Sequence, residues 1–163
     1  MKVEGGGQQR VLSRDAAVRL VQDLRAAGRT IVFTNGVFDL LHPGQLRYLQ
    51  SARALGDALI VGLNGDASVR RNKGEGRPII PEMERAELLT ALTAVDAVTF
   101  FDEDTPAEII KRLQPDVLVK GADWAADAIV GRDTVEARGG RVVRVTVEQG
   151  YSTTGLVQKV RSL

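Results

Sequence analysis

The chain has 163 residues, 44% of them apolar, enough to bury one core and too few for two ordinary domains. Basic and acidic side chains nearly balance at a net charge of +1, so no global field favours nucleic acid or an anionic membrane, and any bound anion must be held locally. The absence of cysteine excludes disulfides and thiolate chemistry, one histidine cannot build a multi-histidine zinc site, and no stretch nears the roughly 20 apolar residues of a membrane helix. A cytoplasmic protein is expected.

Residues 1–9 include Gly5, Gly6 and Gly7 and show no periodicity. Residues 1–12 are read as a disordered lead or a non-native remnant, with the folded domain over 13–163. Ser13 is a good N-cap, Asp15 suits a first helical turn, and Ala17, Leu20, Val21 and Leu24 recur at helical spacing until Gly28. The β-branched and aromatic run 30–34 ends in a glycine-bearing turn, after which helical spacing resumes over 45–55 through Leu46, Leu49 and Ala52. Residues 58–63 read as a strand buried on both faces, 81–92 as a helix and 94–101 as another strand. Pro106 opens a helix carrying Ile109, Ile110 and Leu113. A strand at 117–119, an irregular stretch around Trp124, a helix near 133–138, a strand at 141–147 and a last helix near 154–160 complete the chain. This alternation predicts an α/β fold: a single doubly wound, Rossmann-like domain with a mainly parallel sheet.

In such a sheet, ligands bind beyond the carboxyl ends of the strands. Three predicted strand ends deliver polar groups to that edge: Thr34, Asn35, Gly36, Asp39 and His42; Asn64, Gly65 and Asp66, with Arg70, Arg71 and Lys73 behind them; and Lys120, Gly121 and Asp123. Each has a plainer reading alone. A lone loop histidine is more often a surface or capping residue, Asn35-Gly36 is a turn signal, and Asp39 suits a helix cap. The run at 70–73 reads as a solvated loop, and Trp124 as packing or a loop anchor.

Together they carry more. The segment Gly36-x-Phe38-Asp39-x-x-His42-x-Gly44 resembles the signature of the cytidylyltransferase-like nucleotidyltransferases, whose first-strand loop ends in His-x-Gly-His. Lys73-Gly74, Arg77-Pro78, Arg85, Asp96, the stretch 116–123, Gly139-Gly140 and Ser152-Thr153-Thr154 follow in the family's order. Within the family, residues 34–42, 118–123 and 152–154 are similar to adenylyltransferases that act on D-glycero-β-D-manno-heptose-1-phosphate. That activity occurs in a free-standing form or as the C-terminal half of a bifunctional kinase, and the chain resembles the former.

The resemblance implies transfer of adenylyl from ATP to the heptose phosphate, giving ADP-heptose and pyrophosphate for lipopolysaccharide core precursors. The alternatives are cytidylyl transfer to glycerol phosphate or a similar alcohol phosphate, and a non-catalytic nucleotide-binding module. A phosphate monoester is already mostly dianionic at neutral pH, so the chemistry needs cations, hydrogen-bond donors and in-line positioning more than a base. The resemblance gives these roles to His42, Gln45, Lys73 and Lys120. Nucleotide contacts fall to Thr34, Asn35, Gly36, Phe38, His42, Gly44, Lys120, Gly121, Asp123, Ser152, Thr153 and Thr154. Contacts to the sugar phosphate fall to Asp39, Asn64, Asp66 and Arg85. Mg²⁺ is expected with ATP, held by phosphate oxygens and water without a protein metal site. A homodimer that binds neither nucleic acid nor membrane is also implied, with the N-terminal helix as a contributor to the contact.

One position departs from the pattern: Gln45 stands where the family has its second histidine. Glutamine keeps a donor and loses the positive charge of an imidazolium. Turnover below the family's level is therefore expected, along with its recovery in Gln45→His.

Overall fold

The structure, a computed structural model, describes residues 10–163. Its six strands, from β1 (Val11–Leu12) to β6 (Arg141–Val145) along the chain, form one sheet in the order β1-β4-β3-β2-β5-β6, and each neighbouring pair is parallel. Central strands β2 (Ile31–Gly36) and β3 (Ala58–Asn64) pair from Ile31 opposite Ala58 to Gly36 opposite Leu63. β4 (Ala97–Phe101) extends the sheet on the β3 side, and β5 (Val117–Gly121) and β6 (Arg141–Val145) extend it beyond β2. The chain thus leaves β2 in one direction and later returns to its other side, which opens a crevice between β2 and β5 at their carboxyl ends.

Period-2 alternation distributes the strand residues over two cores. Val32, Leu59, Val61 and Leu63 meet Leu49 and Ala52 of α2 (Pro43–Arg53) and Ala86 and Leu89 of α4 (Glu82–Ala91). On the other face, Ile31, Phe33, Ile60 and Leu118 meet Ala17 and Val21 of α1 (Arg14–Ala26), Ile109, Ile110 and Leu113 of α5 (Ala107–Leu113) and Val135 of α6 (Arg132–Glu136). A fully buried aliphatic side chain contributes about 1.5–3 kcal/mol relative to exposure, so packing on the sheet holds these short helices. At the amino end of the strands, the carboxylates of Asp57, Asp96 and Asp116 accept from the N–H of Thr30, Leu59 and Ile31, each at 2.8 Å. Asp96 and Asp116, part of the family likeness, therefore close the edge opposite the crevice.

The doubly wound expectation agrees with this sheet; several boundaries do not. Val11–Leu12 forms β1 against Val98 and Thr99 of β4, and Arg10 donates to the carbonyls of Asp96 and Thr90, so order begins before Ser13. The remainder of the expected lead, residues 1–9, lies outside the described residues. Residues 70–73 belong to a helix, α3 (Asp66–Lys73), and not to a loop. Ser13 caps α1 as expected, accepting from Ala16 N–H at 3.2 Å. The apolar face of α1 is directed at its own sheet, through Ala17 and Val21. Among the described residues no helix is long and apolar enough to cross a membrane.

Candidate active site

The strand end at β2 is braced before it reaches solvent. Thr34 is fully buried and its Oγ1 donates to the Val119 carbonyl at 3.0 Å, so its 2.8 Å contact with Tyr48 has the phenol as donor. Burial pushes the Tyr48 pKa up to about 12, with the Asp123 charge adding to the rise. The Thr34 hydroxyl therefore ties β2 to β5 and α2. Beside it, Asn35 Oδ1 is buried without a partner among the described residues, an acceptor at the crevice.

The following loop holds an uncommon backbone. Phe38 and Leu40 have φ of 49° and 51°, a left-handed conformation costing on the order of 1–3 kcal/mol per non-glycine residue. The surroundings offset that cost. The Phe38 ring occupies the space a side chain on Gly36 would need, 3.0 Å from the position of its Cβ. Asp39 is 1% exposed and its carboxylate accepts from Ile79 N–H at 2.8 Å, Ile80 N–H at 3.0 Å and Arg77 Nε at 3.0 Å. Arg85, fully buried on α4, donates to the carbonyls of Val37 at 2.6 Å, Ile80 at 2.9 Å and Asn64 at 3.0 Å, and to Asp66 Oδ1 at 2.7 Å. Asn64 Nδ2 donates to Ser68 Oγ at 3.0 Å. Asp39, Asn64 and Arg85, read as sugar-phosphate contacts, thus join three loops to one another; Asp66 remains partly exposed.

His42 is the N-cap of α2. Its Nδ1 accepts from Gln45 N–H and its own N–H donates to Gln45 Oε1, both at 3.3 Å, which makes a reciprocal capping box. Gln45, read as a donor to phosphate, thus turns its carbonyl oxygen back to the helix start. Burial lowers the His42 pKa from its ordinary value. Tyr151 stacks on the imidazole with centroids 5.9 Å apart and planes 15° apart, and the Arg47 guanidinium lies 5.7 Å from the Tyr151 centroid. A Cβ on Gly44 would stand 2.8 Å from Tyr151 Cβ, so only glycine admits this contact. The sequence pattern marks neither tyrosine; the one signal for Tyr151 is its place directly before Ser152-Thr153-Thr154.

Lys120 is the penultimate residue of β5 and is 8% exposed. Burial pushes its pKa down to about 8, opposed by the Asp123 carboxylate, and its Nζ lies 5.3 Å from the Trp124 ring centroid. Trp124 is half exposed, so it faces Lys120 and solvent without filling a core. Ser152 caps α7 (Thr153–Arg161) by accepting from Gly155 N–H at 2.9 Å, and Thr153 Oγ1 donates to the Asp39 carbonyl at 2.7 Å. The start of α7 is thereby fastened to the loop after β2. Thr154 is exposed, and Lys73, exposed at the end of α3, shares no ion pair with this network among the described residues. Nor do those residues hold a cluster of three or more metal-ligating side chains.

The N-cap of α2 follows β2, the buried Lys120 lies in β5 beside it, and the start of α7 is tied to the loop after β2; the family model for cytidylyltransferase-like proteins matches residues 33–162. The chain belongs to the cytidylyltransferase-like family. It is 52% identical over 153 residues to the bifunctional protein HldE of Geotalea uraniireducens (strain Rf4), covering 94% of this chain and 31% of that protein. For the bifunctional protein HldE of Geobacter sulfurreducens the identity is 50% over 156 residues, 96% of this chain and 32% of that one. The chain thus spans about a third of the length of these curated relatives. A crystal structure of a lipopolysaccharide core biosynthesis protein from Thermoplasma volcanium superposes with a TM-score of 0.64 at 31% identity, over 75% of this chain and all of that one. As a cytidylyltransferase-like nucleotidyltransferase, the chain presents His42 and Gln45 together at the start of α2.

Proposed function

We propose that this nucleotidyltransferase moves adenylyl from ATP to D-glycero-β-D-manno-heptose-1-phosphate, releasing pyrophosphate and supplying ADP-heptose for the lipopolysaccharide core. The observation that carries the reading is identity near 50% over more than nine-tenths of the chain with proteins named bifunctional HldE. It is supported by the likeness to a lipopolysaccharide core biosynthesis protein and by the resemblance of residues 34–42, 118–123 and 152–154 to heptose phosphate adenylyltransferases.

In this reading a phosphate oxygen of the sugar attacks the α-phosphorus of ATP, the bond from that phosphorus to the bridging oxygen breaks, and pyrophosphate leaves in line. Two anions must approach, so the protein's task is placement and charge. His42 donates from its ring, Lys120 supplies a cation from a site where water is largely excluded, and the first amides of α7 with the Thr154 hydroxyl face the phosphates. Asp39 and Arg85 hold the loops that carry these groups. Mg²⁺ would accompany ATP, held mainly by nucleotide oxygens and water. Bound there, the ion would neutralise the departing charge. A cytoplasmic homodimer is part of the same proposal, checked by fractionation and light scattering.

Pyrophosphate release tests the reaction. ATP with the heptose phosphate is expected to give product and EDTA to abolish it, while CTP with glycerol phosphate gives little. Gln45→His is expected to raise the turnover number with little change in ATP affinity, because a cationic donor replaces a neutral side chain at the loss of one capping bond. Product with CTP alone would assign the cytidylyl reaction. A thermal shift with ATP but no pyrophosphate with any acceptor would leave a nucleotide-binding module.

A further inference from the structure

His42 is the one histidine of the chain, and its imidazole is constrained from two directions. In the plane of the ring, Gln45 N–H meets Nδ1 at 3.3 Å. Across its face lies Tyr151, nearly parallel at 5.9 Å, in the space that Gly44 leaves open. Tyr151 is in turn held from its own side, since Arg47 of α2 lies 5.7 Å from its ring and pairs with Glu148 of the same loop. Arg47 and Glu148 are therefore the charged groups that meet this stack, and they neutralise each other.

A neutral imidazole that accepts at Nδ1 carries its proton on Nε2, at the ring edge away from the cap. Protonation would place a hydrogen on Nδ1 facing the Gln45 N–H, so the same contact disfavours the imidazolium. An aromatic pair adds about 0.5–1.5 kcal/mol beyond its buried area, enough to bias ring orientations by up to about tenfold. The cap alone holds one edge of the ring; the stack removes its freedom to swing about that edge.

We infer that Tyr151 is a positioning residue which, with the cap from Gln45, locks His42 as a neutral Nε2–H donor. His42 then meets phosphate through a directed hydrogen bond, and positive charge comes from elsewhere, with Lys120 the buried cation at the neighbouring strand end. Its catalytic consequence rests on the proposed adenylyl transfer; the state of the ring does not.

Because the chain has a single histidine, a long-range ¹H–¹⁵N spectrum of the whole protein reports on this ring alone. The expected spectrum has Nδ1 unprotonated and Nε2 protonated, with a titration midpoint below 6.5. In Tyr151→Ala, and in Tyr151→Leu, which fills the space without a ring, the other tautomer appears and the midpoint rises toward 6.5. Tyr151→Phe keeps the wild-type spectrum. Turnover falls about tenfold in Tyr151→Ala, and Tyr151→Phe restores it. A proton on Nδ1 in the wild type, or an unchanged ring spectrum in both ringless variants, overturns the inference. If the wild type releases no pyrophosphate, the adenylyl reading falls while the ring spectrum still decides the role of Tyr151.

Discussion

The lysine at the end of β5 shows how one side chain links stability to the proposed chemistry. With 8% of its surface exposed, Lys120 has a pKa that burial pushes down from 10.5 to about 8, the Asp123 carboxylate acting the other way. Below about pH 8 the folded and unfolded chains both carry this proton, so the folded state bears the full penalty of a buried charge, about 3 kcal/mol. Between pH 8 and 10.5 the unfolded chain binds more protons, and the penalty fades as pH rises. The Trp124 face offsets part of it, by about 0.5–2 kcal/mol. Lys120→Met is therefore expected to raise Tm, by about 1–2 kcal/mol in unfolding free energy, while lowering turnover by about 10²–10³. In the wild type, turnover falls as pH rises through about 8, and bound triphosphate moves that midpoint upward by favouring the ammonium. Calorimetry and pyrophosphate release across pH read both effects. Unchanged turnover in Lys120→Met would remove this lysine from the mechanism.

At the scale of elements, Arg85 makes α4 the support of three loops. Truncating it leaves the carbonyls of Val37, Ile80 and Asn64 without their donor and Asp66 without its partner. Each carbonyl left without its donor costs about 1–3 kcal/mol, about 3–5 kcal/mol for the three together. For a domain of this size that corresponds to a Tm lower by roughly 10 °C in Arg85→Met, with a raised KM for ATP. Arg85→Lys recovers little of either, because an ammonium cannot span four acceptors with the guanidinium's geometry. Full recovery by lysine would mean that charge alone matters here. Arg85 also marks the boundary of what was legible in the sequence. Alternating apolar runs revealed β2 to β6, and the rule that polar residues gather after parallel strands located Lys120, His42 and Asp39. The pattern cannot say whether a carboxylate or guanidinium there faces a ligand or another loop, since both uses demand the same residue types. α3 escaped because Ser68 and Val69 are its only buried residues, too few to make a period. β1 escaped because a two-residue edge strand is defined by its partner β4. The role of Tyr151 depends on a contact over a hundred positions away, with His42.

For the whole molecule, the least secured part of the site is α7. A nine-residue helix is marginal on its own in water, and none of its residues is buried. Its ties to the domain lie at its start: the Thr153 bond to the Asp39 carbonyl and the Tyr151 stack on His42. Opening α7 should therefore require far less free energy than opening the central strands. If its first turn holds phosphate, ATP binds the docked arrangement and not the open one. Saturation at a hundred times Kd then stabilises docking by about 2.7 kcal/mol, which slows exchange of the α7 amides about a hundredfold. Hydrogen exchange of the whole chain, with and without ATP and Mg²⁺, is expected to show rapid exchange over residues 153–161 in the free protein. Strong protection should appear there on binding, alongside protection of the loop from Val37 to Leu41. Thr153→Val, which loses the bond to Asp39, should raise free-state exchange at α7 and weaken ATP binding together, since one docking equilibrium governs both. Protection of the β2 loop with no change at α7 would show that the nucleotide is held without this helix, and the phosphate role of Ser152-Thr153-Thr154 would have to be given up.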